Sequence, residues 1–154
     1  TLDIPRGIDA DALNFLAAAP AYSENWILTP HPGEAARLLH CSTADILQDR
    51  YQAVRSIQKK YGGVCVLKGA GTLVCGGEGI YVNRTGNPGM ASGGMGDVLA
   101  GLIGGLLAQQ YPLIEAAQQG VYRHGLAADK AAASKGERGL CASDVVDYLV
   151  QVVK

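Results

Sequence analysis

Apolar and polar positions along the chain alternate between helical stripes and short runs of β-formers. Asp9 to Ala19 (DADALNFLAAA) is rich in alanine and leucine and ends before Pro20, which predicts a short helix. Trp26 to Thr29 (WILT) reads as a short buried strand. Thr29 to His40 (TPHPGEAARLLH) passes from a proline-punctuated turn into a helix, with Pro32 in the first turn, where a missing N–H costs nothing. Ser42 and Asp45 form a capping-box-like S-x-x-D, predicted to open one long helix to about Tyr61. Its apolar positions Ile46, Leu47, Tyr51, Val54 and Ile57 fall on one helical face, and Gly62 and Gly63 stop it.

Val64 to Leu67 (VCVL) and Thr72 to Cys75 (TLVC) are strands by composition, joined by the glycine turn Lys68 to Thr72 (KGAGT). A hairpin centred on Ala70 sets Cys65 opposite Cys75, so a disulfide is geometrically open to them; two small apolar residues in strands is the plainer reading. A third strand, Ile80 to Asn83, follows the glycines at 76, 77 and 79. Helices are predicted from about Gly94 to Gln110 and from about Leu113 to Ser134. A last amphipathic helix follows Ser143, an N-cap candidate, with Val146, Leu149, Val150 and Val153 on its inner face. Helices alternating with valine-rich strands predict an α/β layered fold, with helices packed against a mainly parallel sheet.

At 154 residues, 48% of them hydrophobic, the chain is read as one domain over residues 1–154 with a real core. Its formal net charge of −1 offers no basic surplus for a phosphate backbone, so nucleic acid is not an expected partner. Val98 to Ala108, the longest apolar run, falls short of the ~18 residues a membrane span needs. No membrane partner is therefore expected, and without signal-peptide features the cytoplasm is the expected compartment. The cysteines at 41, 65, 75 and 141 include no C-x-x-C pair, which argues against a zinc site.

Candidate chemistry gathers in three stretches. Gly93-Gly94-Met95-Gly96-Asp97 stands at a helix start, where glycines let backbone N–H groups approach an anion and the helix dipole favours one. Asp97 has two open readings there: a carboxylate that suits the dipole, or a base that takes a proton from a hydroxyl attacking a phosphate. In LKGAGT, Leu67 to Thr72, the turn and Lys68 either hold a nucleotide phosphate or form an ordinary hairpin with an exposed lysine. In TPHPGE, His31 and Glu34 stand three residues apart, so both can project from one face of the helix start. His31 is a candidate for substrate binding or proton transfer and Glu34 for Mg²⁺ through water; an acidic first helical turn is the alternative. His40 and His124 read as structural. Asp9 and Asp11 cap the following helix or contact metal or substrate. Together these features suggest nucleotide-dependent phosphoryl transfer.

DADALN (9–14), TPHPGEAARLL (29–39), VLKGAGTLV (66–74) and GNPGMASGGMGDVLAG (86–101) resemble the ADP/ATP-dependent NAD(P)H-hydrate dehydratases, carbohydrate-kinase-domain proteins of the ribokinase-like superfamily. The resemblance covers nearly the whole chain in the family's order. It implies a ribokinase-like fold and a repair reaction in which the C6 hydroxyl of NADH or NADPH hydrate is phosphorylated from ADP or ATP. Phosphate then leaves and NAD(P)H is restored. Asp97 would be the catalytic base and contact the hydrate with His31. Gly93, Gly94, Met95 and Gly96 would form the anion hole, and Lys68, Gly69, Ala70, Gly71, Thr72 and Gly96 would bind the nucleotide. Glu34 would hold Mg²⁺ indirectly.

Family domains carry several strands before DADALN, and an apolar strand usually enters it. Here the lead-in is TLDIPRGI, where Pro5 and Gly7 are expected to interrupt any strand. The chain is therefore expected to be the C-terminal part of the catalytic domain, with N-terminal strands and the epimerase domain of bifunctional relatives missing. An exposed sheet edge then predicts a homo-oligomer. Two other readings are another ribokinase-like small-molecule kinase, such as a thiazole or hydroxymethylpyrimidine kinase, and a catalytically silent nucleotide-binding fragment.

Overall fold

The computed structural model describes residues 4–153. Five strands form one sheet in the order β1 (Arg6–Ile8), β2 (Trp26–Leu28), β3 (Val64–Leu67), β4 (Leu73–Gly76) and β5 (Gly79–Val82). β1, β2 and β3 are parallel, and only β4 runs against the others, so four of the five strands share a direction.

Alternation along the strands sends successive side chains to opposite faces. Leu28, Cys65, Leu67, Leu73 and Cys75 pack against α1 (Asp11–Ala18), α2 (Pro32–Leu39), α3 (Thr43–Gln48) and α4 (Arg50–Tyr61). Ile27, Val64, Val66 and Val74 face α5 (Met95–Ala108) and α6 (Leu113–Lys135). Burial on both faces makes three layers, helices over sheet over helices, the solution a mostly parallel sheet requires. A third cluster joins Met95, Ala127, Ala128 and Ala131 to Val145 on α7 (Ala142–Val152).

Four expectations change. A strand does form before DADALN: β1 pairs in parallel with β2, with Pro5 just outside it and Gly7 at an edge position where a missing side chain costs no packing. Thr1 to Asp3 of that lead-in lie outside the described residues. The long helix from Ser42 breaks at Asp49, whose carboxylate accepts the Gln52 N–H at 2.9 Å and starts α4 afresh. The break splits the expected stripe, leaving Ile46, Val54 and Ile57 buried but Leu47 and Tyr51 exposed. α7 starts after Cys141 rather than Ser143, with the Asp144 carboxylate accepting the Cys141 N–H at 2.9 Å. Its inner stripe is Val145, Tyr148, Leu149 and Val152, while Val146, Val150 and Val153 face outward. The helix expected from Asp9 begins at Asp11, leaving Asp9 at the end of β1.

The hairpin register is as expected, with Cys65 opposite Cys75. Both are free thiols, and burial pushes the pKa of each upward, which keeps them inert.

Candidate active site

At the C-terminal ends of the three parallel strands, β1 leads to Asp9, β2 to Thr29-Pro30-His31, and β3 to Lys68. This is the end of an open α/β sheet at which ligands bind. The connections are tied together by backbone hydrogen bonds, Thr29 N–H donating to Ile8 O at 3.1 Å and Lys68 N–H to Pro30 O at 2.9 Å.

Lys68 is the junction. Its ammonium stands 3.0 Å from Asp9 Oδ1 and 4.0 Å from Glu34 Oε2, with the lysine side chain only 19% exposed. On its other side is α5: a Cβ built on Gly96 would lie 3.2 Å from Lys68 Nζ. The ordinary hairpin lysine is thus excluded, and KGAGT, GGMGD and TPHPGE converge on one charge. Beyond Lys68 the turn runs through Gly69 (φ 140°) and Gly71 (φ 64°), a path glycine adopts readily. Arg50 clamps it, donating to Ala70 O at 2.6 Å and Leu67 O at 3.3 Å, and Thr72 Oγ1 donates to Gly69 O at 3.0 Å.

α5 begins without a side-chain cap. Its N-cap is Gly94 at φ 84°, and a Cβ there would stand 3.1 Å from the Ala142 side chain. The Gly93 and Gly94 backbone and the Asp97 carboxylate are exposed, Gly96 is half-buried, and the Met95 side chain is buried in the third cluster. Met95 can therefore offer an anion only its N–H. The loop before α5 is pinned to α6 by Asp129, whose carboxylate accepts from Gly86 N–H and Asn87 Nδ2, each at 2.9 Å.

α2 begins in the opposite way. His31 Nδ1 accepts from Gly33 N–H at 3.0 Å and Glu34 N–H at 3.3 Å, and Glu34 Oε2 accepts from His31 N–H at 2.8 Å. Because Nδ1 is an acceptor, the neutral ring carries its proton on Nε2, 3.5 Å from Glu34 Oε1, in a half-exposed side chain. Glu34 is buried, so it serves both as the partner of His31 in a capping box and as a neighbour of Lys68.

No group of three potential metal-ligating side chains occurs among the described residues. Glu34 and Asp9 fit a Mg²⁺ that keeps its waters and rides on nucleotide phosphates, and do not fit one caged by protein ligands.

His124 on α6 is buried, and its Nε2 has no hydrogen-bond partner. Burial first, then the charge of Lys68, lowers its pKa to about 4 and keeps the ring neutral at pH 7.

Sequence reasoning missed one pairing and two members of the site. The Asp9–Lys68 pair joins residues at two strand ends, a placement that only the strand order reveals. Neither Asp9 nor Asp11 caps α1 through its side chain; the N-cap is Ala10, and Asp11 contacts Asn14. Arg50 reaches the turn because the helix restarts at Asp49, and Asp129 reaches the loop across 42 residues.

A family model described as NAD(P)H-hydrate dehydratase matches residues 3–151. The chain belongs to that family. The bifunctional NAD(P)H-hydrate repair enzyme of Coxiella burnetii is 55% identical over 148 residues, covering 96% of this chain and 30% of the relative. The ADP-dependent (S)-NAD(P)H-hydrate dehydratase of Neisseria meningitidis is 48% identical over 151 residues, covering 93% of this chain and 51% of the relative. Among solved structures, the ADP/ATP-dependent NAD(P)H-hydrate dehydratase of Bacillus subtilis, co-crystallised with ATP/Mg²⁺ and soaked with CoA, superposes with a TM-score of 0.90 at 32% identity, over 99% of this chain and 57% of that one. The chain thus spans under a third of its bifunctional relatives and about half of the single-activity ones. The ribokinase-like α/β fold expected from the sequence is the fold of these relatives. A hydroxyethylthiazole kinase from Pyrococcus horikoshii, 19% identical with a TM-score of 0.75, shares the fold alone.

Proposed function

We propose that these residues carry the phosphoryl-transfer side of ADP- or ATP-dependent dehydration of NAD(P)H hydrate. Asp97 takes the proton of the C6 hydroxyl, whose oxygen attacks the terminal phosphorus of the nucleotide. AMP or ADP departs. The C6–O bond then breaks, driven by the ring nitrogen's lone pair, and loss of a proton from the neighbouring carbon restores NAD(P)H and releases phosphate. The N–H groups of Gly93, Gly94, Met95 and Gly96 cradle the transferring group, whose charge develops at the positive end of α5. Lys68, Gly69, Ala70, Gly71 and Thr72 hold the nucleotide with Gly96. His31 turns its Nε2–H toward the hydrate while Nδ1 caps α2. Mg²⁺ held through water near Glu34 would neutralise phosphate charge.

The observation that carries this reading is the Lys68 ammonium set between two carboxylates and the uncapped start of α5. A kinase for a vitamin precursor uses the same glycine-plus-acid logic, but this chain belongs to the hydrate dehydratase family. We also read the chain as the C-terminal part of a catalytic domain acting in the cytoplasm. The outer edge of β1, unpaired among the described residues, supports further strands or another copy pairing there. Mass in solution tests the second copy.

The test is recovery of NAD(P)H absorbance from hydrate with ADP or ATP, beside calorimetric titration with ADP. Asp97→Asn is expected to lower turnover by roughly 10²–10⁴-fold while ADP binding stays within a few-fold. Near-normal turnover in that variant removes Asp97 from the base role. Binding without turnover in the unaltered chain favours a silent nucleotide-binding fragment.

A further inference from the structure

We infer that Asp9 is a positioning residue of the phosphoryl-transfer site: its carboxylate holds the Lys68 ammonium against the start of α5, where the nucleotide phosphate must lie. The inference rests on the nucleotide-binding reading above.

Asp9 has no helix to serve. It stands two residues before α1, whose N-cap is Ala10 and makes no side-chain bond. The Asp9 carboxylate instead crosses to Lys68 Nζ at 3.0 Å, between residues 59 positions apart in the chain. Both side chains are largely withdrawn from water, 17% and 19% exposed, so the attraction is screened less than that of a surface pair. The chain turns sharply at once. Ala10 has φ 48° and ψ −122°, a conformation an alanine adopts only under constraint. An acidic residue followed by such a turn, at the ligand end of a parallel strand, is fixed in place more firmly than an exposed loop requires.

The other groups facing Lys68 do not replace Asp9. Glu34 Oε2 is 4.0 Å away and already accepts the His31 N–H. His124, whose pKa burial and the Lys68 charge lower to about 4, is neutral at pH 7 and presents no competing charge. The ammonium therefore has one close ionic partner and lies beside Gly96, where a Cβ would stand 3.2 Å from Lys68 Nζ. Removing the Asp9 carboxylate frees Lys68 to fall back toward Glu34, away from α5.

The test is a double-mutant cycle read by calorimetric titration with ADP, with folding checked by circular dichroism. Lys68→Met alone is expected to weaken ADP binding at least tenfold. In an Asp9→Asn background the same substitution should weaken it threefold or less, because the ammonium no longer stands where the phosphate binds. Asp9→Glu should restore most of the tenfold penalty, and Asp9→Ser, a smaller side chain, should behave like Asp9→Asn if the latter folds poorly. A residue that only stabilises the fold would lower the melting temperature and leave the Lys68→Met penalty intact, and that result overturns the inference. If Lys68→Met binds ADP as the unaltered chain does, the nucleotide-binding reading itself falls, and the role of Asp9 with it.

Discussion

α2 and α5 both start beside the Lys68 ammonium, yet the first amides of α2 are taken and those of α5 are open. A helix start leaves four N–H groups without partners inside the helix. In α2, Pro32 has no N–H, the Gly33 and Glu34 amides donate to His31 Nδ1, and the Ala35 amide donates to His31 O. Nothing remains for a ligand. In α5 the Val98 amide returns to Gly94 O, but no capping side chain takes those of Met95, Gly96 and Asp97. The positive end of a helix is available to an anion only where the protein has not already satisfied it. The acidic residue at the third helical position follows the same division. Glu34 is buried and bonded to its own cap, whereas Asp97 is exposed and free to meet a substrate hydroxyl.

The largest expected effect on stability concerns charge on the α5 side. His124 has a folded pKa of about 4 against an ordinary value of 6.5, so as pH falls the unfolded chain takes up its proton first. Above pH 6.5 the ring is neutral in both states and contributes nothing. Between 6.5 and 4 stability is lost, by about 3 kcal/mol in all. Denaturant unfolding between pH 7 and pH 4 measures the loss, and His124→Gln should flatten this part of the profile. An unchanged profile would mean that a second positive charge near Lys68 is tolerated and that the α5 side is less electrostatically tuned than described.

Next in size is Gly94→Ala. An alanine at φ 84° costs roughly 1–2 kcal/mol, and its methyl would also press on Ala142 at 3.1 Å. Denaturation should show that loss, and ADP titration should show about tenfold weaker binding, since a factor of ten is about 1.4 kcal/mol of displaced phosphate contact. Loss of stability with unaltered ADP binding would make the uncapped start of α5 a packing feature only.

This contrast between the helices was half legible in the sequence. The glycines before Asp97 mark an anion-friendly helix start because that signal is local, whereas the capping box that closes α2 was not read from TPHPGE, where His31 and Glu34 stood as substrate and Mg²⁺ candidates. The strands within WILT, VCVL and TLVC were legible for the same reason, since a run of β-formers is a property of neighbours, but which side chain faces which helix layer was not. What could not be read depends on tertiary distance. Asp9 meets Lys68 only because β2 brings β1 and β3 to one end of the sheet. The break at Asp49 hid behind a continuous apolar stripe, since a capping carboxylate inside a helical pattern looks like one more polar residue. α7 was only partly legible: Leu149 faces inward as expected, but beside Val145, Tyr148 and Val152 rather than Val146, Val150 and Val153, and one position on a helix is about 100° of rotation.

The smallest expected effect tests the closed side. His31 has one observed role, Nδ1 capping α2, and one proposed role, Nε2–H meeting the hydrate, and substitutions can separate them. Asparagine is as good an N-cap as any residue, so His31→Asn should keep stability within about 0.5 kcal/mol, whereas His31→Ala should lose about 1 kcal/mol. Both variants should bind ADP as before, because neither touches α5 or Lys68. Both should raise KM for the hydrate several-fold if Nε2–H meets that substrate. Equal stability of the two variants would mean that the imidazole does not cap α2. The Gly33 and Glu34 amides of α2 would then be open as well, and a phosphate would have two helix starts to choose between.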